Sequence, residues 1–257
     1  MPGRTCKKNL FSLAVLILTA VTASPALGAV DDFTGFYVAP KGLYSSITDA
    51  DLLIVDSFSY NPAKNIDREA KARRAGAGGF GLAVGYDFYP NSDVPLRFEI
   101  EAMSRTNYSH KLQRSMPYII GNITRTMEAE IGIYNAFFNV FLDLHTGYDF
   151  SLYIGAGAGL ALTSADLSTS YRHAFGTTPT RKNSSWNTGF AWNAGLGCSI
   201  YLGDRLNLDI GARYADYGKT SAIVAGPDPV IPAVTLQSQY EAKFTAVEGV
   251  LSLRYSI

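Results

Sequence analysis

Charged residues recur at even spacing inside otherwise apolar stretches of this 257-residue chain. Where apolar and polar residues alternate, one face of an extended segment carries the charges and the opposite face is apolar. The chemistry open to charges on a shared inner face is ion pairing, because an unpaired charge is costly to remove from water. The residues that we predict to lie on this face are five bases and five acids: Lys41, Arg97, Arg105, Arg213 and Arg254, with Asp87, Glu99, Glu101, Asp209 and Glu248.

The three histidines are weak evidence for a metal site or a catalytic site. Neither an HExxH sequence nor a pair of cysteines accompanies His110, His145 or His173, so we expect no metal and no cofactor. Ser109-His110 and Arg172-His173 are the candidates for hydrolytic catalysis, and a solvated histidine is the ordinary alternative for both. We therefore predict that the protein is not an enzyme.

The elements that must position these residues are strands of alternating character. Eight segments show the alternation, at about 33–45, 76–88, 95–107, 126–143, 150–164, 186–202, 206–218 and 242–257. Short polar turns connect some of them, and long polar loops near 46–75, 108–125, 165–185 and 219–241 connect the others. Short turns at one end and long loops at the other are typical of a transmembrane barrel.

The parity of the strands indicates which face meets lipid. In the segment 186–202, Phe190 and Trp192 belong to a continuous apolar face, opposite glycines and small polar residues. A water-soluble barrel would place its large apolar side chains inside. We therefore predict an all-β fold, an eight-stranded antiparallel up-and-down transmembrane β-barrel with the charges in its lumen. Phe137 and Phe141 share the inner face of their strand with asparagines, so these rings either fill the lumen or mark a bulge.

The beginning of the chain predicts export. Basic residues precede an apolar stretch from Leu10 to Val21, and small residues follow it. This order indicates a cleaved signal peptide over residues 1–29 and a mature barrel over 30–257, with an uncleaved N-terminal anchor as the alternative. Basic and acidic residues are equal in number, 22 of each, so the composition gives no argument for a nucleic-acid partner.

Four stretches together resemble a known family. They are Gly35-Phe36-Tyr37-Val38, Asn135-Ala136-Phe137-Phe138-Asn139-Val140, Tyr153-Ile154-Gly155-Ala156-Gly157-Ala158-Gly159 and the alternating C-terminus. They are similar to the small eight-stranded outer-membrane opacity proteins and to the barrel domain of outer-membrane protein A, over essentially the whole mature chain. The resemblance implies location in the bacterial outer membrane, extended surface loops, and roles in envelope integrity, adhesion or antigenicity.

The C-terminus departs from that family. Its members usually finish on an aromatic residue, which the outer-membrane assembly machinery reads, whereas this chain finishes on Ile257 with Tyr255 two positions earlier. We also expect no peptidoglycan-binding domain, because the last strand reaches Ile257.

In such a barrel the charges at middle depth should meet. We expect Lys41, Glu99 or Glu101, Arg213 and Glu248 to form a central ion-pair cluster that plugs the lumen. The resemblance also implies such a cluster, because members of the family often have charged residues inside the barrel. Separate pairing near water-filled ends of the barrel is the alternative. A rearrangement of the pairs that gates a narrow conductance is the functional alternative.

The first long loop contains a basic stretch. Four basic and two acidic residues lie between Asp67 and Arg74. At an extracellular rim, the basic residues Arg68, Lys71, Arg73 and Arg74 are candidates to bind lipopolysaccharide phosphates. A solvated, partly helical loop is the plainer alternative.

These features predict a non-enzymatic outer-membrane barrel protein that supports the envelope and interacts or adheres through extracellular loops. Its expected partners are outer-membrane lipid and lipopolysaccharide, the outer-membrane assembly machinery, and an extracellular or host ligand. Two alternatives stay open: a lipid-modifying or proteolytic barrel enzyme, and a narrow small-solute channel.

Overall fold

The protein is all-β in its described part. The computed structural model describes residues 35–58, 61–69, 73–118, 121–146, 149–173, 176–177, 180–227 and 235–257, so the predicted signal peptide lies outside the described residues. The elements in these ranges are β1 (Phe36–Phe58), β2 (Asn61–Glu69), β3 (Arg73–Asp87), α1 (Tyr89–Ser92), β4 (Leu96–Arg105), β5 (Tyr108–Tyr118), β6 (Gly121–His145), β7 (Phe150–His173), β8 (Gly176–Thr177), β9 (Arg181–Tyr201), β10 (Leu206–Pro227) and β11 (Thr235–Ser256). Within these ranges, no helix has the length and apolar character needed to cross a membrane.

Eight strands pair edge to edge in a closed ring. The order is β1, β3, β4, β6, β7, β9, β10, β11 and back to β1, and each pairing is antiparallel. Where all eight pairings are present, such closure leaves no free sheet edge, which is what a strand-built membrane span requires. The predicted eight-stranded antiparallel up-and-down barrel is therefore confirmed.

The strands are longer than the sequence pattern predicts. The segment 46–75 lies largely in β1, β2 and β3, and the other three intervals predicted as long loops are likewise occupied largely by paired strands. We call the end with the short connections the turn end and the opposite end the hairpin end. The strand limits were wrong because the apolar residues change face toward the hairpin end, so the lipid-facing pattern stops while the strands continue.

β11 shows this change of face. Near the turn end, Glu248, Ser252 and Arg254 point inward and are buried, and the outward side chains are apolar. Toward the hairpin end the inward side chains are instead buried and mostly apolar: Tyr240, Ala242, Phe244 and Ala246. The outward residues there are Glu241, Lys243 and Thr245. The barrel therefore has a polar lumen behind an apolar outer belt, and then an apolar core behind a polar outer surface.

At the hairpin end the ring separates into two sheets. Pairing between β9 and β10 stops at Trp192 and Asp216, and pairing between β3 and β4 stops at Gly79 and Arg105. Beyond these points one sheet contains β1, β2, β3, β10 and β11, and the other contains β5, β6, β7, β8 and β9. The two sheets enclose a shared cluster of buried apolar side chains, as in a β-sandwich.

Specific contacts hold the two sheets together. Inside, the ring of Tyr108 meets that of Phe244 edge to face, with centroids 6.1 Å apart. At the gap between β9 and β10, the side-chain amide of Asn187 donates to the carbonyl of Ser221 at 2.7 Å, and that of Asn183 donates to the carbonyl of Ile223. Side chains thus satisfy β10 carbonyls where backbone pairing has ended.

In β10 the change of face coincides with a bulge. The register with β11 shifts between Asp216 and Gly218, and Gly218 has a φ of +76°. As a result the inward residues are odd-numbered up to Tyr217 and even-numbered from Thr220 onward. The positive φ favours glycine at this position.

We predict that Gly218→Ala lowers the free energy of unfolding by about 1–2 kcal/mol, because a Cβ is strained at positive φ. The new Cβ would also lie 3.1 Å from the carbonyl oxygen of Phe190. Gly249→Ala is the matched control, since nothing lies within 4 Å of a Cβ at that position of β11. Urea unfolding in detergent micelles, followed by tryptophan fluorescence, measures both variants. Equal stability of the two would contradict a structural role for the bulge.

Candidate functional site: the charged lumen

Five charged side chains from four strands form the predicted central cluster of the lumen. Lys41 comes from β1, Glu99 and Glu101 from β4, Arg213 from β10 and Glu248 from β11. All five point into the lumen, and their side chains are at most 9% exposed. The structure brings them into one connected set.

Lys41 and Arg213 join the three carboxylates. The Lys41 ammonium pairs with Glu99 and lies 2.8 Å from Oε2 of Glu101. Arg213 donates from Nη1 to Glu101 and from Nε to Glu248, each at 2.8 Å. Each cation therefore bridges two acids, so that the chain of contacts runs without interruption across the lumen.

Glycine makes room for the Arg213 side chain. Gly195 of β9 is its register partner, and a Cβ at Gly195 would lie 2.6 Å from the Cβ of Arg213. On the other neighbour, β11, the register partner of Arg213 is Glu248 itself. Strand register alone therefore places this acid and base side by side.

Glu248 is the most highly coordinated member of the set. Its Oε1 accepts from Ser45 at 2.9 Å, from Tyr217 at 2.8 Å, and from Nε and Nη2 of Arg105 at 2.9 and 2.7 Å. Arg105 also donates to Asn135 at 2.6 Å and to the Tyr217 hydroxyl. The side chains of Glu248 and Arg105 are fully buried, so these hydrogen bonds replace the water that both charges have lost.

A second group of charges lies nearer the turn end. Arg97 makes a two-pronged contact with Asp143, with both distances at 3.2 Å, and a third contact with Asp209 at 3.3 Å. Arg254 lies 3.0 Å from Asp87 and 3.5 Å from Asp209. Asp209 therefore links the two arginines.

Tyr37 connects the two groups of charges. Its hydroxyl donates to Oε2 of Glu99 at 3.1 Å. Its ring lies under the guanidinium groups of Arg97 and Arg254, at 5.9 and 5.4 Å from the centroid. We call the whole set the lumen network: Tyr37, Lys41, Ser45, Asp87, Arg97, Glu99, Glu101, Arg105, Asn135, Asp143, Asp209, Arg213, Tyr217, Glu248 and Arg254.

Aromatic rings fill the space between these charges. Phe137 stacks on Tyr217 with centroids 6.3 Å apart, and Phe141 lies 4.6 Å from the Arg97 guanidinium. β6 keeps an unbroken register with both neighbours through these positions. The two phenylalanines therefore fill the lumen, and they do not mark a bulge.

A small cavity remains beside the network. It has a volume of about 40 Å³ and is lined by Lys41, Tyr153, Asn193 and Arg213 together with glycines of β7, β9 and β10. This is room for about one to three water molecules. At this depth the lumen is thus occupied by paired side chains, and it offers no wide passage.

Sequence reasoning missed several members of the network. Tyr37, Asn135, Asp143 and Tyr217 are on the inner parity of their strands, but nothing in the sequence marks them as partners of a charge. For Arg105 the sequence predicts a place on the inner face but not in the central cluster. Parity gives the face of a residue, whereas its partner depends on depth and on the strand across the lumen.

The other predicted residues are the basic stretch of the first loop and the histidines. The backbones of Arg68, Arg73 and Arg74 belong to β2 and β3, with their side chains outside the described part, and Lys71 lies outside the described residues. His145 stacks on Tyr89 at the turn end, with centroids 3.6 Å apart. Among the described residues, no group of three His, Cys, Asp or Glu could hold a metal ion.

We predict that Glu248→Gln lowers the free energy of unfolding by about 3–5 kcal/mol, because Arg105 and Arg213 would each lose a buried countercharge. The matched control is Glu128→Gln, whose partner Lys111 is 65% exposed; its effect should be about 0–1 kcal/mol. Urea unfolding in lipid vesicles measures both. A Glu248→Gln barrel as stable as the wild type would contradict the buried pairing.

The chain is similar to several known outer-membrane proteins. Outer membrane protein PagN of Salmonella typhimurium is 28% identical over 214 residues, which are 83% of this chain and 86% of PagN. The solved structure of Neisserial surface protein A matches with a TM-score of 0.43 at 17% identity, over 87% of this chain and 98% of that chain. For OprG of Pseudomonas aeruginosa the TM-score is 0.46 at 15% identity, over 87% of this chain and 97% of that chain.

A family model described as outer membrane protein beta-barrel domain matches residues 11–246. This match spans most of the chain and agrees with the closed ring of eight strands. The predicted resemblance to small outer-membrane barrels and the predicted outer-membrane location are confirmed. The chain belongs to the outer membrane protein beta-barrel domain family and is a bacterial outer-membrane protein.

Proposed function

We propose that the protein is a non-enzymatic outer-membrane protein that contacts an extracellular ligand through the part of its β-structure beyond the bilayer. The observation that carries this proposal is strand length combined with the change of face. β6 has 25 residues and β7 has 24, whereas crossing the membrane takes about 9–11 residues. The remaining residues of β6, about 14 at roughly 3.3 Å each and tilted by about 40°, extend about 35 Å beyond the bilayer.

The extension has the character of a folded domain. Its interior is apolar, its outer surface is polar, and two sheets share its core. A water-exposed structure of this kind supports an ordered binding surface, since a packed core restricts the strands that carry the surface residues. The lumen network supports a division of roles. The part of the barrel near the turn end anchors the protein in the membrane, and the extension contacts the ligand.

The register of the strands speaks against a joint histidine site. His110 of β5 pairs with Ala129, and Ala129 pairs with Leu167 of β7. His173 is six positions farther along β7, a backbone separation of about 20 Å. The two candidate pairs, Ser109-His110 and Arg172-His173, therefore lie on separate stretches of backbone and have to be tested separately.

The finer partner assignments are part of the proposal. We propose that lipopolysaccharide phosphates contact Arg68, Lys71, Arg73 and Arg74, on the basis of the charge of this stretch. We also propose that the outer-membrane assembly machinery inserts the barrel.

Cell adherence tests the proposal. In the hairpin variant, residues 109–130 are replaced by Asn-Gly, a turn suited to joining the register partners Tyr108 and Ile131. We expect bacteria displaying the wild type to adhere to epithelial cells or matrix proteins, and the hairpin variant to adhere less. A heat-modifiable gel shift verifies that each barrel is folded. Folded wild-type protein that gives no adherence above the empty vector would contradict the proposal.

The paired variant His110→Ala/His173→Ala separates binding from catalysis. We expect it to adhere like the wild type and to leave the mass spectrum of lipid A and the cleavage of added peptides unchanged. A product that the wild type makes and this folded variant does not would instead favour the enzyme alternative.

Planar bilayers test the channel alternative. We predict that the wild-type protein gives no steady conductance, because paired charges and aromatic rings fill the lumen. Lys41→Ala should increase conductance events, since it enlarges the cavity beside Arg213 and removes the cation that bridges Glu99 and Glu101. Steady wild-type channels would support the narrow-channel alternative.

A further inference from the structure

The lumen network contains two groups of charges that differ in their balance. In the central group three acids and three bases alternate through their contacts, in the order Glu99, Lys41, Glu101, Arg213, Glu248 and Arg105. The second group, which we call the turn-end group, alternates in the order Asp143, Arg97, Asp209, Arg254 and Asp87. Its three acids and two bases leave one negative charge without a countercharge when every carboxyl group is ionised.

The surroundings of the turn-end group do not supply the missing positive charge. Among the described residues, no further cation pairs with its acids. Ser199 donates to Oδ1 of Asp209 at 2.6 Å, and the amide of Tyr89 donates to Oδ1 of Asp87 at 3.0 Å, but both donors are neutral. The titratable group that adjoins from the central group, Glu99, is itself an acid. The rings that lie 4.6–5.9 Å from the two guanidinium groups are those of Tyr37, Phe141 and Tyr153.

Most of the turn-end group is shielded from water. The side chains of Arg97, Asp143 and Arg254 are at most 4% exposed, and that of Asp209 is 8% exposed. An unmatched negative charge in such a site is costly, because burial disfavours the charged form of a carboxyl group. The side chain of Asp87 is 20% exposed, so protons from the water at the turn end can reach the group.

We propose that the turn-end group binds one proton as the pH falls from about 8 to about 5. The proton comes from water and adds to a carboxylate oxygen, and it is shared among Asp87, Asp143 and Asp209. It brings the group to zero net charge. The central group is already balanced and binds none in this range. The lumen is thus a pH-responsive element that favours the folded barrel in mildly acidic surroundings, whichever ligand the extension contacts.

The direction of the pH dependence follows from the number of bound protons. In the unfolded chain the carboxyl groups are solvated, and they lose their protons above about pH 4. Between that pH and neutrality the folded barrel therefore holds more protons than the unfolded chain, so its stability rises as the pH falls. For one proton, the equilibrium constant for unfolding falls by up to about tenfold per pH unit.

Urea unfolding in lipid vesicles between pH 5 and pH 8 tests the proposal. The parent protein carries glutamine at His110, His145 and His173, which otherwise titrate in this range. We expect its equilibrium constant for unfolding to fall about tenfold from pH 8 to pH 5. Asp143→Asn and Asp87→Asn each leave two acids and two bases in the group, so each should remove this pH dependence.

The matched control is Glu128→Gln, which removes an acid that is 53% exposed outside the lumen. It should keep the pH dependence of the parent. Infrared spectroscopy gives a direct measurement: between pH 8 and pH 6, where solvated carboxyl groups stay ionised, the band of a protonated carboxyl group should grow in the parent. It should not grow in Asp143→Asn or Asp87→Asn.

Two results would overturn the proposal. One is a parent barrel that is no more stable at pH 5 than at pH 8. The other is a pH dependence or an infrared band that survives in both aspartate variants, because the proton would then lie elsewhere. Heat-modifiable gel mobility verifies folding. If Asp143→Asn does not fold after Arg97 loses its partner, Asp87→Asn alone decides the outcome.

Discussion

The buried carboxylate of Glu248 is the interaction on which the rest of the barrel depends. It accepts hydrogen bonds from Ser45 of β1, Arg105 of β4, and Arg213 and Tyr217 of β10, which lie on different sides of the lumen. Backbone pairing fixes each strand only against its two neighbours. The network adds contacts across the ring, so that the relative depth of distant strands is fixed as well. A slip of one residue would move these charges to the outer face and into lipid.

The network also marks the boundary between the two parts of the barrel. The Tyr217 hydroxyl belongs to the charged set, while its ring stacks on Phe137 at the lower limit of the apolar core. One residue thus satisfies a carboxylate on one side and contributes apolar surface on the other. Beyond it, Phe244 and Tyr108 meet inside, where a channel would have water.

The sequence predicts the strands well near the turn end and poorly near the hairpin end, for a physical reason. Near the turn end, outward apolar residues alternate along each strand with inward glycines and charged residues, and the sequence shows this alternation directly. Toward the hairpin end, small side chains such as Ala222 and Ala242 face inward and polar residues such as Lys219 face water, so the segment around 219–241 looks like a loop. The glycine at position 218 adds a change of parity that a fixed period of two cannot follow. In the site, parity indicates the face of each charge, but the partnership of Arg105 with Glu248 depends on contact across the lumen.

The change of face follows from one rule applied in two solvents. A strand that specifies its orientation needs one apolar and one polar face, because identical faces would allow either to point inward. Where the outside is lipid, the apolar face is outside and the lumen must be polar. Charges inside the lumen then need partners, and these partners tie the strands together. Where the outside is water, the same requirement places the apolar face inside, and a packed core replaces the ion pairs. The lumen network therefore ends where the solvent outside the barrel changes, and the bulge at Gly218 lies at that level on β10.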